Sequence, residues 1–165
     1  MSEDVGASAP ATQDPPVTGR WSFSSVSRSA APIDVVWPLI GQAARWKEWS
    51  WMTRTFLLRP GQPDPDGVGA LRRFGLGPVG GSREEVVAWD PPHHLAYVAV
   101  SGLPVRGYRG EVDLRSDGSG TVVTWRGSFD ELIPGTGALM RGALGRMTTG
   151  FGRRVCRYAE GLDVN

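Results

Sequence analysis

EEVVAWDPPHHLAYVAVSGLPVRGY, residues 84–108, reads as strand, turn, strand, turn, strand. The runs around Val86 and Val98 are rich in β-branched and aromatic residues, which suit a pleated, half-buried surface. Asp90-Pro91-Pro92 and Gly102-Leu103-Pro104 interrupt them with turn chemistry. Tyr108 opens the third run. There Tyr108, Val112 and Leu114 share one face by period two, while Arg109, Glu111, Asp113 and Arg115 share the other. Such a sheet has one buried face and one wet face.

Working outward, further strands are expected at 21–31, 55–58, 69–76, 82–89, 94–101, 107–115 and 121–129. GLGPVGG (75–81) forms one hairpin turn and DGSG (117–120) another. Between the first two strands, Ile33, Val36, Trp37 and Ile40 recur at helical spacing after Pro32, and Pro38 shortens or kinks that helix. A second short helix, AARWKEWS (43–50), places Trp46 and Trp49 on one face. At the C-terminal end, Met140, Leu144, Met147, Phe151, Val155, Tyr158 and Leu162 form one stripe of a long helix. Gly142, Gly145, Gly150 and Gly152 interrupt it, and leave open either close approach to the sheet or room for a ligand. The order predicts an α+β fold: a curved antiparallel sheet of about seven strands around one C-terminal helix, with an apolar cavity between them.

Composition narrows the function classes. Lys plus Arg number 18 and Asp plus Glu 17, so bulk charge favours neither nucleic acid nor an anionic membrane as partner. A single Cys156 excludes an internal disulfide and leaves no cysteine-rich metal framework. No run approaches the ~18–20 apolar residues of a membrane span. Residues 1–18 carry almost no large apolar residue and are expected to form a disordered tail ahead of a ligand-binding domain over 19–165. The tail has early acids and no apolar secretion segment, so a cytoplasmic protein is expected.

His93 and His94 point to opposite faces of a strand and make a poor chelating pair, with no third histidine to help. GLGPVGG has neither dinucleotide-binding nor phosphate-loop spacing. No Gly-x-Ser-x-Gly nucleophile elbow occurs. No metal site and no cofactor are therefore expected. Cys156, without a histidine base, reads as structural. Arg141, Arg146, Arg153, Arg154 and Arg157 give the last helix a basic outer surface, ordinarily a solvated face.

Several segments together resemble one superfamily: RWKEWS (45–50), SREEVVAWDPPHHLAY (82–97), SGLPVRGY (101–108), and GTVVTWRGSF (120–129) leading through IPGTG (133–137). In this order they resemble the START/Bet v 1-like superfamily, also called SRPBCC or helix-grip, and more narrowly its bacterial polyketide cyclase/dehydrase-like proteins. The resemblance covers about residues 22–162. It implies a cavity closed by the C-terminal helix, with the residue after the SGLPVRG turn, here Tyr108, often reaching into it. Its members include cyclases, aromatases, lipid carriers and hormone receptors, so fold alone does not name an activity.

The expected cavity lining is Phe74, Tyr108, Trp125, Phe129, Met147 and Phe151, each on the inward side by period two or by the helical stripe. Arg72 shares parity with Phe74 and Leu76. Glu84 shares parity with Val86 and Ala88. The two charges either pair inside the cavity as a polar anchor or lie in solvent near the strand ends, and the sequence alone leans to solvent. Tyr108 is either ligand-facing or a core tyrosine with a backbone partner. The leading expectation is binding of a small hydrophobic ligand (lipid, isoprenoid or polyketide-like) by a monomer or homodimer. The rival is a polyketide cyclase, aromatase or dehydratase in which Tyr108, Glu84 and Arg72 handle protons and an enolate. A third is an interaction module docking through the arginine-rich helix.

Overall fold

The computed structural model describes residues 19–75 and 80–163. The expected tail and the centre of the GLGPVGG turn lie outside the described residues. The elements are β1 (Trp21–Ser29), α1 (Ile33–Gly41), a 3-10 turn (Ala43–Arg45), α2 (Trp46–Trp49), β2 (Arg54–Arg59), β3 (Leu71–Gly75), β4 (Ser82–Asp90), β5 (His94–Ser101), β6 (Val105–Asp117), β7 (Gly120–Glu131) and α3 (Gly137–Asp163). All seven strands join one antiparallel sheet in the order β1-β7-β6-β5-β4-β3-β2. The sheet curves around α3, which packs chiefly on β1 and β7, while α1 and α2 cover the remaining side of the helix. This is the predicted α+β architecture.

Pro32 stands at the N-cap of α1 with extended backbone, and its carbonyl accepts the amides of Val35 and Val36. The helix continues three residues past Pro38 to Gly41. Burial of Val36, Trp37, Leu39 and Ile40 offsets the hydrogen bond that proline removes. Trp46 and Trp49 donate their indole N–H groups to the carbonyls of Ile40 and Leu39 at 2.8 and 2.9 Å, tying α2 to α1.

Two strand-level expectations are corrected by register. In β4 a bulge between Val86 and Ala88 breaks the period. Val86 stays inward, but beyond the bulge it is Trp89 that packs inside, against Trp37 at 5.1 Å between ring centroids. Ala88 therefore does not continue the inward series from Glu84. On β6, Glu111 is only 8% exposed although it lies on the outer face. Arg109 and Arg126 flank it at 2.8 and 3.5 Å, and Arg126 also reaches Asp113 at 2.6 Å. Asp113 in turn holds His94 at 2.7 Å. The outer face carries a packed ion network where simple wetting was expected.

The apolar stripe of α3 is rotated slightly from expectation. Leu144, Phe151 and Val155 are buried, but so are Thr148, Gly152, Cys156 and Ala159, while Leu162 is 41% exposed. Small residues thus face β1. A Cβ at Gly152 would sit 2.5 Å from the Ser27 hydroxyl, so this glycine serves close helix–sheet approach. Cys156 is buried and free, and its carbonyl accepts the Ser29 hydroxyl. Burial pushes its thiol up to about 12, which keeps it protonated and unreactive. No helix among the described residues is long and apolar enough to cross a membrane.

Candidate functional site

The inner sheet face carries a row of cross-strand neighbours running Val86, Tyr97, Gly110, Gly127, Phe23. Directly paired residues project to the same side. Because positions 110 and 127 are glycine, the rings of Tyr97 and Phe23 can lie flat over β6 and β7. A Cβ on Gly110 would collide with the Tyr97 ring and hydroxyl, and one on Gly127 with the Phe23 ring. Tyr97 thereby reaches the Trp125 indole, whose Nε1–H donates to the tyrosine oxygen at 3.0 Å. Tyr97 and Tyr108 are neighbours, with ring centroids 6.2 Å apart, and their hydroxyls interact electrostatically.

Above this row and below α3 lies a cavity of about 360 Å³. Of the residues expected to line it, Phe74, Glu84, Tyr108, Met147 and Phe151 do so. Three do not. Trp125 and Phe129 are fully buried in the core, Trp125 supporting Tyr97 from behind. Arg72 is also fully buried and lies outside the lining. Its guanidinium carbon stands 5.3 Å from the Phe74 ring centre and 5.5 Å from that of Tyr97, and its Nη1 donates to the Gly41 carbonyl at 3.3 Å.

Sequence reasoning did not place Tyr97, Trp46, Trp51, Met52, Leu103 and Thr148 in the wall, yet all line the cavity. Tyr97 was accessible in principle. It shares parity with Leu95 and Ala99 in β5, and a glycine inside a strand often marks close approach of another group. Trp51 lies in a loop without periodicity, and only the fold brings it to Phe151, with stacked rings 4.4 Å apart. Glycines 75, 81 and 102 edge the cavity. Gly102, at φ 90°, presses against the Gly81 carbonyl, so the glycines of this rim serve backbone packing between turns.

Arg72 and Glu84 are directly paired across β3 and β4 and both point inward, which corrects the leaning toward solvent. The Glu84 side chain is 13% exposed, and its Oε2 lies 3.6 Å from Arg72 Nη2. At that separation attraction is weaker than in a close bidentate pair, and removal from water wins. Burial pushes the Glu84 carboxyl up to about 7, against the smaller opposing pull of Arg72 and a long hydrogen bond from the Ser82 hydroxyl. Burial also raises both tyrosine hydroxyls, so they remain protonated donors. The cavity is thus aromatic and apolar, with one titratable acid and a hydroxyl pair. A separate depression of about 320 Å³ on the outer face is lined by Ser22, Arg109, Glu111 and Arg126, whose charges are largely engaged with one another.

The Gly110 contact carries a direct prediction. Gly110→Ala should displace the Tyr97 ring and break its bond to Trp125, at about 1–3 kcal/mol of stability. Chemical denaturation would measure it, and a neutral substitution would mean that the Tyr97 ring has free alternatives.

A seven-stranded antiparallel sheet gripping a C-terminal helix over a cavity is the helix-grip architecture of START/Bet v 1-like proteins. Residues 20–160 match the family described as polyketide cyclase / dehydrase and lipid transport, and the chain belongs to that family. Among solved structures, a START superfamily protein from Mycobacterium smegmatis is similar with a TM-score of 0.70 at 12% identity, over 87% of this chain and 97% of that one. A protein from Thermobifida fusca gives a TM-score of 0.67 at 24% identity, over 83% and 92%. Ara h 8.0201 gives 0.65 at 10% identity, over 87% and 97%. At such identities the likeness concerns the fold alone. No curated protein matches the sequence.

Proposed function

We infer that this protein binds a small hydrophobic ligand, of lipid, isoprenoid or polyketide-like character, between the sheet and α3. The observation that carries the reading is the aromatic-walled cavity of about 360 Å³, which falls at the small end of the range for ligand pockets. Its apolar lining with few convergent polar groups is the usual composition of such sites. Membership of a family described by cyclisation, dehydration and lipid transport supports the same class of ligand. The setting we assign is cytoplasmic.

The test is native mass spectrometry of purified protein, followed by thermal unfolding with the extracted compound added back. A bound apolar molecule should appear and should stabilise the fold by ~2.7 kcal/mol at a hundredfold excess over its dissociation constant. Protein that carries no ligand and is not stabilised by any of a panel of lipids, isoprenoids and aromatic polyketides would remove the basis of this reading.

A second reading, catalysis on a polyketide-like substrate in the same cavity, has one observation in its favour. Glu84 titrates at about 7 in an apolar wall, where an acid can both give and take a proton. Catalysis and carriage separate cleanly: Glu84→Gln would abolish turnover while leaving ligand retention measurable.

A further inference from the structure

What the cavity selects rests on the ligand-binding reading above and is set at its polar end, where three features meet. Arg72 is fully buried, lies outside the lining, and has no hydrogen-bond partner among the described residues for Nε or Nη2. Three wall residues cover its guanidinium: Glu84, whose Oε2 lies 3.6 Å from Nη2, and the rings of Phe74 and Tyr97 at 5.3 and 5.5 Å. An anionic head group would therefore meet the Glu84 carboxyl before the guanidinium. Next, the neighbouring Tyr97 and Tyr108 own two hydroxyl protons, of which an interaction between the two can use only one. Trp125 fills an acceptor site on Tyr97 and takes neither proton. One phenolic donor therefore remains, on a pair that lines the cavity. Finally, the space is small and its walls are flat rings, Trp46, Trp51, Phe74 and Phe151 among them.

We propose that Glu84 is the specificity-determining residue of this cavity, and that together with the Tyr97–Tyr108 hydroxyls it selects a compact, uncharged ring system bearing a carbonyl oxygen, against anionic amphiphiles such as fatty acids. A carbonyl oxygen has two lone pairs, one for the protonated Glu84 carboxyl and one for the spare phenolic proton. A hydrocarbon of the same shape leaves these buried donors unanswered, and a carboxylate adds repulsion from Glu84 once that group ionises. The groups facing Glu84 are Arg72 from β3, the Ser82 hydroxyl from β4 and the two tyrosines from β5 and β6. Across the cavity α3 contributes Met147, Thr148 and Phe151, none of which titrates. The pH response should accordingly follow Glu84 itself, whose carboxyl loses its proton around 7.

The experiment uses the full chain and three naphthalenes of nearly equal shape: 2-acetonaphthone, 2-ethylnaphthalene and 2-naphthoate. Binding is read by quenching of tryptophan fluorescence, since Trp46 and Trp51 form part of the wall. Below the Glu84 midpoint the ketone should bind about tenfold more tightly than the hydrocarbon, the scale of one or two buried hydrogen bonds. Above the midpoint naphthoate should bind more weakly than the ketone, because the ionised Glu84 repels its carboxylate. Well above the midpoint the ketone's advantage over the hydrocarbon should shrink severalfold in the native protein. In Glu84→Gln, which keeps a donor at every pH, that advantage should not change with pH. Naphthoate binding as tightly as the ketone above the Glu84 midpoint would overturn the proposal, since Arg72 would then be reading the anion. A ketone-to-hydrocarbon ratio unaffected by pH in the native protein would overturn it as well, without any variant that might misfold. If none of the three binds, the ligand-binding reading itself fails for molecules of this size, a result distinct from loss of selectivity.

Discussion

Phe151→Ala is expected to lower folding stability by about 3–5 kcal/mol, the largest effect of any single truncation at this site. Phe151 is the hub where α3 meets the helices and the sheet. Its ring lies 5.3 Å from Trp46, 6.0 Å from Trp49, 4.4 Å from Trp51 and 5.9 Å from Trp125 by ring centroids. Truncation removes the transfer free energy of a buried ring and its edge-to-face and stacked contacts together. The cavity beside it gives the neighbours no atoms to relax onto, so the void persists. Denaturant titration would show a lower midpoint with an unchanged slope. A loss below about 1.5 kcal/mol would mean that the tryptophans close over the gap. Because this residue serves fold and cavity at once, Tyr108→Phe is the cleaner probe of ligand binding, removing one hydroxyl and leaving the ring.

The second large effect is a pH dependence. Glu84 has its folded-state carboxyl raised from an ordinary 4.5 to about 7. Between those values the native state holds a proton that the unfolded state has released. Stability from this group is therefore fully present below about 4.5, declines as pH rises through the interval, and is flat above about 7. The decline integrates to about 3 kcal/mol. Glu84→Gln should abolish it, so the stability of the variant relative to the native protein should rise by that amount from the acid to the alkaline side. The comparison is needed because His94, raised by its bond to Asp113, loses stability in the same sense as pH climbs past its folded value. Glu48, held low by Arg45, acts oppositely at lower pH. Both are common to the two proteins and cancel in the difference. Parallel curves would mean that Arg72 keeps Glu84 ionised throughout, and that the 3.6 Å pair is stronger than its geometry indicates.

Phe151 and Glu84 were unequally legible in the sequence. Phe151 stood out as the centre of the α3 stripe, since helical spacing alone points it inward. Its ring partners did not: Trp51 comes from a loop and Trp125 from β7, a separation of 74 positions that no local period spans. Glu84 was legible in parity but not in environment. The same alternation that turned it inward was compatible with an exposed strand end, and its burial depended on register with Arg72 and on the depth of the cavity. The bulge that transfers the inward position from Ala88 to Trp89 was invisible for a related reason. A bulge is a property of a strand pair, and Ala88 and Trp89 both suit a strand.

By itself, the sequence determined the order of elements, the antiparallel hairpins and the inward faces of most strands and of α3. These follow from turn residues and from periods of two and 3.6, which are local and additive. Tertiary structure alone decided that Arg72 sits buried behind the cavity wall, that Trp125 and Phe129 fill core and not cavity, and that Tyr97 lies over Gly110 with its hydroxyl accepting from Trp125. Each of those outcomes depends on distances between residues far apart in the chain. Charge, burial and hydrogen-bond supply are set by such distances, and so the chemistry of the cavity emerges only when the sheet closes around the helix.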